Sequence, residues 1–315
     1  IGVIAATRVK NTSDFALAGR SLPLPMVITA TFATWFGSET ILGLPGRFIE
    51  SGIAGVIEEP FGSGMALILV GTFFAHKLYK QNILTLGDYY RDRYGRSVEL
   101  LCSVAIVISY LGWVGAQVTA LGLVINLITE GAVSMTTGMV IGAAVVLAYT
   151  MVGGMWSVAM TDFVQMIVIV VGLVAILWFA TDLAGGMDKV VDYARGRDLF
   201  HAFPEPTTTC WLFWISAAMT MMIGSIPQQD VFQRVMSAKN LPTAVAGPIL
   251  GGSFYILFAF VPMFIVVAAI LVMPDAAEKM LSEDPQQLLP TLVRDYMPMW
   301  LRVVFFGAVL SAVMS

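Results

Sequence analysis

Seven stretches of this sequence run without a single Asp, Glu, Lys or Arg: Ser21 to Ser38, Pro60 to Ala75, Leu100 to Thr129, Gly131 to Thr161, Phe163 to Thr181, Pro206 to Gln229 and Asn240 to Pro274. Most meet or approach the roughly 20 residues a helix needs to cross a bilayer. None alternates apolar and polar residues over segments of about 10, the mark of a transmembrane barrel strand. The chain therefore reads as all-α, multi-pass and transmembrane. Composition agrees, because 58% of residues are hydrophobic and only 12% charged, where a soluble domain carries about a quarter charged residues. That much apolar surface cannot all be hidden inside a soluble fold, so the surplus faces a lipid bilayer, and the expected location is the cell (plasma) membrane. Cys102 and Cys210 lie in or beside apolar spans, which argues against a disulfide framework, and two Cys with two His leave no basis for a zinc site. With a pI near 5.2 there is no basic face for nucleic acid. No His-Glu-x-x-His or Gly-x-Ser-x-Gly occurs, and Ser63 in Gly62-Ser63-Gly64 has no matching base. An enzyme is not expected, nor are catalytic residues or a cofactor.

The approximate spans are 21–43, 53–75, 100–129, 135–157, 162–181, 208–229 and 245–273, between two stubs at 1–7 and 301–315. Both ends read as cut, since the first residues look like the last turns of a helix and Ser315 falls inside an apolar run. Loops 8–20, 76–99, 153–162 and 230–244 hold ten of the 17 cations, Arg20, Arg234 and Lys239 among them. The other seven sit mostly in two long loops, where the positive-inside rule is weak. The first set therefore reads as cytoplasmic. The long outer loops Asp182–Thr207 and Pro274–Met299 exceed the usual connection length, and Ala276–Leu281 and Pro285–Tyr296 are expected as short helices over the outer face.

Two spans look interrupted. Phe32-Ala33-Thr34-Trp35-Phe36-Gly37-Ser38-Glu39-Thr40 puts a carboxylate beside two poor helix formers inside an apolar run. An intramembrane carboxylate usually marks a pathway or a pairing partner, and an interrupted helix exposes carbonyls that suit a hard cation. An ordinary helix whose Glu39 reaches the outer interface remains open. Met221-Met222-Ile223-Gly224-Ser225-Ile226-Pro227 repeats the pattern five spans later, as either a second broken helix or a plain proline kink. Glu58 and Glu59 open the span 53–75, in the outer interface or facing a cavity shared with Glu39. Trp113 and Gln117 lie one turn apart on one helical face, where Gln117 is either interhelical glue or a ligand.

Four segments together resemble the sodium:solute symporter family of proline, pantothenate, sialic acid and sugar symporters. They are Asp14-Phe15-Ala16-Leu17-Ala18-Gly19-Arg20-Ser21-Leu22, the broken stretch Ala33 to Gly46, Tyr149 to Val158 with its Gly153-Gly154 pair followed by Thr161-Asp162-Phe163-Val164-Gln165, and Gln233 to Asn240. The resemblance implies a LeuT-type inverted-repeat helical bundle, truncated at both ends. The chain, 1–315, would then be a single transmembrane transporter domain (fragment), with a first inverted repeat at 21–181 and an incomplete second one at 208–315. It also implies sodium as coupling ion, held by backbone carbonyls of Ala33 and Phe36 with Ala312 and Ser315, and a role for Asp162 on the sodium route. On residue chemistry alone, Asp162 could equally be an N-terminal acid favoured by the helix dipole.

Sugar-transporting members resemble this chain at Glu39 and Glu59. However, Thr40 stands where they have an amide, and Met221, Gly224 and Ser225 stand where they have an amide and aromatics. Proline-type members have an aspartate at the position of Trp35. The candidate substrate residues are therefore Trp35, Glu39, Thr40, Glu59, Trp113, Gln117, Met221 and Ser225. The expected function is sodium-coupled symport of a small organic solute, zwitterionic or cationic, by alternating access. The alternative is a transporter-like sensory input module of a signalling protein.

Overall fold

The computed structural model describes residues 7–314. Ser315 lies outside them, as does the first stub apart from Thr7. Among the described residues there is no strand; helices account for nearly all the ordered structure, with one isolated parallel bridge between Leu22 and Ala238.

A short helix α1 (Thr12–Leu17) leads into α2 (Leu24–Trp35), a π-turn at Glu39–Gly43 and α3 (Leu44–Gly55). The long run α4 (Ile57–Gln81) follows, then α5 (Leu86–Tyr94) and α6 (Arg96–Ile128). Next come α7 (Met135–Leu183) and the outer helix α8 (Met187–Gly196). α9 (Thr208–Gly224) and α10 (Gln229–Ser237) form a pair bent by 45°. α11 (Leu241–Val272), α12 (Pro274–Glu283), α13 (Leu288–Tyr296) and α14 (Met299–Met314) complete the chain. Four of these helices are long and apolar enough to cross a membrane, or five with the bent pair counted as one span. Local chemistry sets several starts. Ser134, Thr207 and Asn240 each accept a hydrogen bond from the backbone N–H three residues on, satisfying one of the orphan donors of a helix N-terminus. Thr85 and Asp88 make a reciprocal capping box on α5.

Three boundaries differ from the sequence reading. The span expected at 21–43 does not end at Gly43; after a break at Phe36–Ser38 it continues to Gly55, because Pro45 falls in the first turn of α3, where its missing N–H costs nothing. No loop fills 153–162. α7 is a helical run of 49 residues, about twice a bilayer's requirement, and it turns at Gly154 alone, with φ 50° and ψ −144°. Asp162 therefore lies two turns past the break rather than in a first turn, and it is fully buried. The span expected at 53–75 instead runs from Ile57 to Gln81, because residues up to Gly55 belong to α3, which turns at the non-helical Gly52. The two outer-loop helices do form, as α12 and α13, each with an apolar side packed on the bundle.

Burial against lipid gains little hydrophobic energy, so helix association rests on close packing. α11 supplies it with glycines. A Cβ on Gly252 would lie 2.7 Å from the Gly64 carbonyl oxygen of α4, and one on Gly247 would lie 2.3 Å from Val27 of α2. Phe32 and Phe36 stack at 4.9 Å between centroids, and Phe36 meets Phe258 at 5.3 Å and Tyr255 at 6.3 Å. This cluster clamps the broken helix to α11. On the far side, Leu100, Val104, Val107, Ile108 and Leu111 form an exposed apolar stripe along α6, at the spacing of one helical face.

Candidate functional site

The break after Trp35 is the origin of the site. A helix end leaves its last carbonyls without intrahelical donors. Here the Thr40 hydroxyl bends back to donate to the Trp35 carbonyl at 3.3 Å, and lies 3.3 Å from the Tyr255 hydroxyl. Tyr255 also lies within electrostatic range of Glu59. Ser38 donates to Gln117 Oε1 of α6 at 3.1 Å, and Gly37 packs against the same amide. Glu39 occupies the π-turn, a helix defect frequent at functional sites, and accepts from Arg47 Nη2 at 2.6 Å. The pair is part-exposed, at 34% for the Glu39 side chain and 48% for Arg47.

These groups border a cavity of about 680 Å³ between the broken helix, the start of α4, the middle of α6 and the bent α9–α10 pair. Six of the eight candidate substrate residues line it: Trp35, Glu39, Glu59, Trp113, Gln117 and Met221. The other two do not. Thr40 is turned toward Tyr255, and Ser225 is buried, its hydroxyl 3.9 Å from the Met221 sulfur. Gln117 is both glue and wall, since it bonds Ser38 and still borders the space. Glu59, one of three glutamates on the wall, is only 7% exposed.

Sequence reasoning missed the opposite end. The Tyr110 hydroxyl donates to the Asp230 carboxylate across two elements 120 residues apart, and the Asp230 backbone N–H donates back to Tyr110 at 3.2 Å. Arg234, on the next turn of α10, lines the same cavity. Asp230 and Arg234 fall in what reads as a cytoplasmic loop, and no local pattern announces a tyrosine partner so far away in sequence. Arg47 was likewise countable only as a loop cation.

Of the candidate sodium residues, Ala33 and Phe36 sit fully buried at the break and Ala312 is buried in α14; Ser315 lies outside the described residues. α2 and α14 both pack on α7. Asp162 lies on α7, within electrostatic range of Tyr149. Among the described residues, no three His, Cys, Asp or Glu side chains converge on a metal position.

A model of the sodium:solute symporter family matches residues 15–315. The chain belongs to that family. It is 29% identical over 340 residues to the human "High affinity choline transporter 1", covering 100% of this chain and 56% of the relative. It is 28% identical to the "High-affinity choline transporter 1" of Caenorhabditis elegans, covering 96% and 53%, and 26% identical to the "Sodium/glucose cotransporter 4" of Danio rerio, covering 100% and 54%. The chain thus spans about half the length of the curated relatives it matches. A solved structure described as the substrate-bound outward-open state of a Na+-coupled sialic acid symporter superposes with a TM-score of 0.84 at 19% identity, over 99% of this chain and 66% of that one. The fold is the LeuT-type bundle of such symporters. Like the family's other members, this is a multi-pass protein of the plasma membrane.

Proposed function

We propose that the full protein is a sodium-coupled symporter of a small organic solute carrying a positively charged onium group. One observation carries the choice of solute: four carboxylates (Glu39, Glu58, Glu59 and Asp230) and two guanidiniums (Arg47 and Arg234) line the cavity, with Trp35 and Trp113 beside them. A formal −2 on the cavity wall calls for a cation, and indole faces attract a quaternary ammonium by up to about 2 kcal/mol when desolvated. The curated choline transporters among its relatives support the same reading.

Each residue has a part. Glu59, beside Tyr255, supplies a carboxyl group in a dry wall. Glu39 is occupied by Arg47, so an arriving onium group competes with that guanidinium and frees it. Sodium would be held at the helix break by the carbonyls of Ala33 and Phe36, with Ala312 and Ser315 of the last helix, and Asp162 would lie on its route. Symport requires that both ligands bind one conformational state better than the other; an ion seated at the break ties binding to the geometry of the broken helix itself.

The test is uptake by the full-length protein in liposomes of labelled choline, proline, pantothenate, glucose and sialic acid, with an inward Na⁺ gradient, a K⁺ gradient or none. Choline-type uptake that needs Na⁺ and drops in Ser315→Ala is expected. Uptake of glucose or sialic acid in preference to every onium compound would refute the solute class, and uptake indifferent to Na⁺ would refute the coupling.

A further inference from the structure

At the end of the cavity away from Glu39 sits a guanidinium with no counter-ion at contact distance. Arg234 is 8% exposed and lines the wall. Its Nη1 donates to the Asp230 backbone carbonyl at 3.1 Å, and its Nε is buried without an acceptor. Among the described residues no carboxylate oxygen comes within 4.0 Å of it. The Asp230 carboxylate, one turn away, is engaged by the Tyr110 hydroxyl instead. Withdrawing a guanidinium from water without a paired anion costs several kcal/mol. Its planar fork is also the side chain best matched to a carboxylate. A buried, under-satisfied guanidinium facing a cavity is therefore short of one ligand, and that ligand is anionic.

We propose that Arg234, with Gln228 on the same wall, forms an anion subsite. It takes a small monovalent anion, in the simplest case the carboxylate of the transported solute itself. This rests on the reading of the cavity as the solute site, and it narrows the solute from an onium cation to a zwitterion. The scale of the cavity sets the separation of charge. Ser38 bonds Gln117 and Asp230 bonds Tyr110, so the two ends are registered against positions seven residues apart on α6, about 10 Å along a helix. Glutamate and arginine side chains reach inward from both ends. A solute with several carbons between its charges fits this spacing better than one with a single carbon.

The full-length protein in liposomes, under an inward Na⁺ gradient, is given labelled choline, glycine betaine and γ-trimethylammoniobutyrate, in chloride and in gluconate media. If the solute brings the anion, γ-trimethylammoniobutyrate enters in either medium and is preferred to glycine betaine. Arg234→Gln then lowers its kcat/KM relative to that of choline by about tenfold or more, and Arg234→Lys recovers part of the ratio. If a free halide is the anion, choline uptake needs chloride, and the need disappears in Arg234→Gln. Choline uptake indifferent to the medium, with solute ratios unchanged by Arg234→Gln, overturns the subsite while leaving the onium reading standing. A second readout is independent of transport. Detergent-purified protein at fixed Na⁺ is titrated with acetate or chloride against gluconate, and a saturable rise in Tm that Arg234→Gln abolishes is expected. The absence of any saturable rise in the wild type overturns the subsite even if no onium solute is carried.

Discussion

The carboxylates of Glu39 and Glu59 share a cavity wall but not an environment. Glu39 is part-exposed and already shared with Arg47, whereas Glu59 is 7% exposed beside the Tyr255 hydroxyl. Charge–charge attraction is screened less where water is excluded, so the buried glutamate should matter more to a cationic solute. Glu59→Gln is expected to raise the apparent KM for an onium substrate on the order of a hundredfold and Glu39→Gln about tenfold, where each tenfold is ~1.4 kcal/mol. Concentration-dependent uptake measures both, and an equal or reversed ranking contradicts the assignment. Glu39 was legible because a carboxylate inside an apolar run is conspicuous in one dimension. Thr40 was legible as part of the break, yet its hydroxyl serves the helix end rather than the cavity. Asp230 and Arg234 were not legible, because their significance lies in a tyrosine brought to them from 120 residues away.

Among the elements, α7 depends most on a single backbone position. At φ 50° and ψ −144°, Gly154 occupies a region that side chains avoid, and a Cβ there would stand 2.4 Å from the Phe15 carbonyl oxygen. Strain of this kind costs on the order of 1–3 kcal/mol before any clash is counted. Gly154→Ala should therefore lower the thermal midpoint of the purified protein by several degrees, or prevent folding. Gly115→Ala makes the contrast: nothing lies within 4 Å of its Cβ position on α6, and alanine's helix propensity favours it by up to about 1 kcal/mol. Equal midpoints for the two variants would mean that the turn at Gly154 tolerates a side chain. The Gly153-Gly154 pair was visible in the sequence, but hydropathy alone implied a loop of about ten residues at 153–162. A glycine can reverse a helical run within one residue, and an apolar count does not register that. The break at Phe36–Ser38 was readable because Gly37 and Ser38 are weak helix formers. The continuation through Pro45 was not, since proline is disruptive or harmless depending on where the new helix starts.

At the scale of the whole molecule, the cavity lies between two packed groups of helices. α11 packs on both α2 and α4 through the glycine contacts, α6 and α14 pack on α7, and the two groups meet where α2 and α11 also lie against α7. On the side read as cytoplasmic, the first group is fastened by main-chain bonds from Leu22 to Ser237 and from Lys239 to Leu22, and by the Tyr79 hydroxyl donating to the Ala238 carbonyl at 2.8 Å. The Ser38–Gln117 hydrogen bond crosses from one group to the other. If transport needs the groups to move apart there, oxidising the double variant Ser38→Cys with Gln117→Cys, in a background where Cys102 and Cys210 are serine, should cut uptake about tenfold or more, with recovery on reduction. Uptake unaffected by a confirmed cross-link would place the moving boundary elsewhere. The charges around the cavity have an electrical consequence as well. An unloaded protein that carries a formal −2 through the field of an energised membrane feels about 2.3 kcal/mol per charge for each 100 mV traversed. An inside-negative voltage then pushes the empty, acid-lined space back toward the outside, so the potential itself helps reset the cycle, and turnover should quicken as the membrane hyperpolarises.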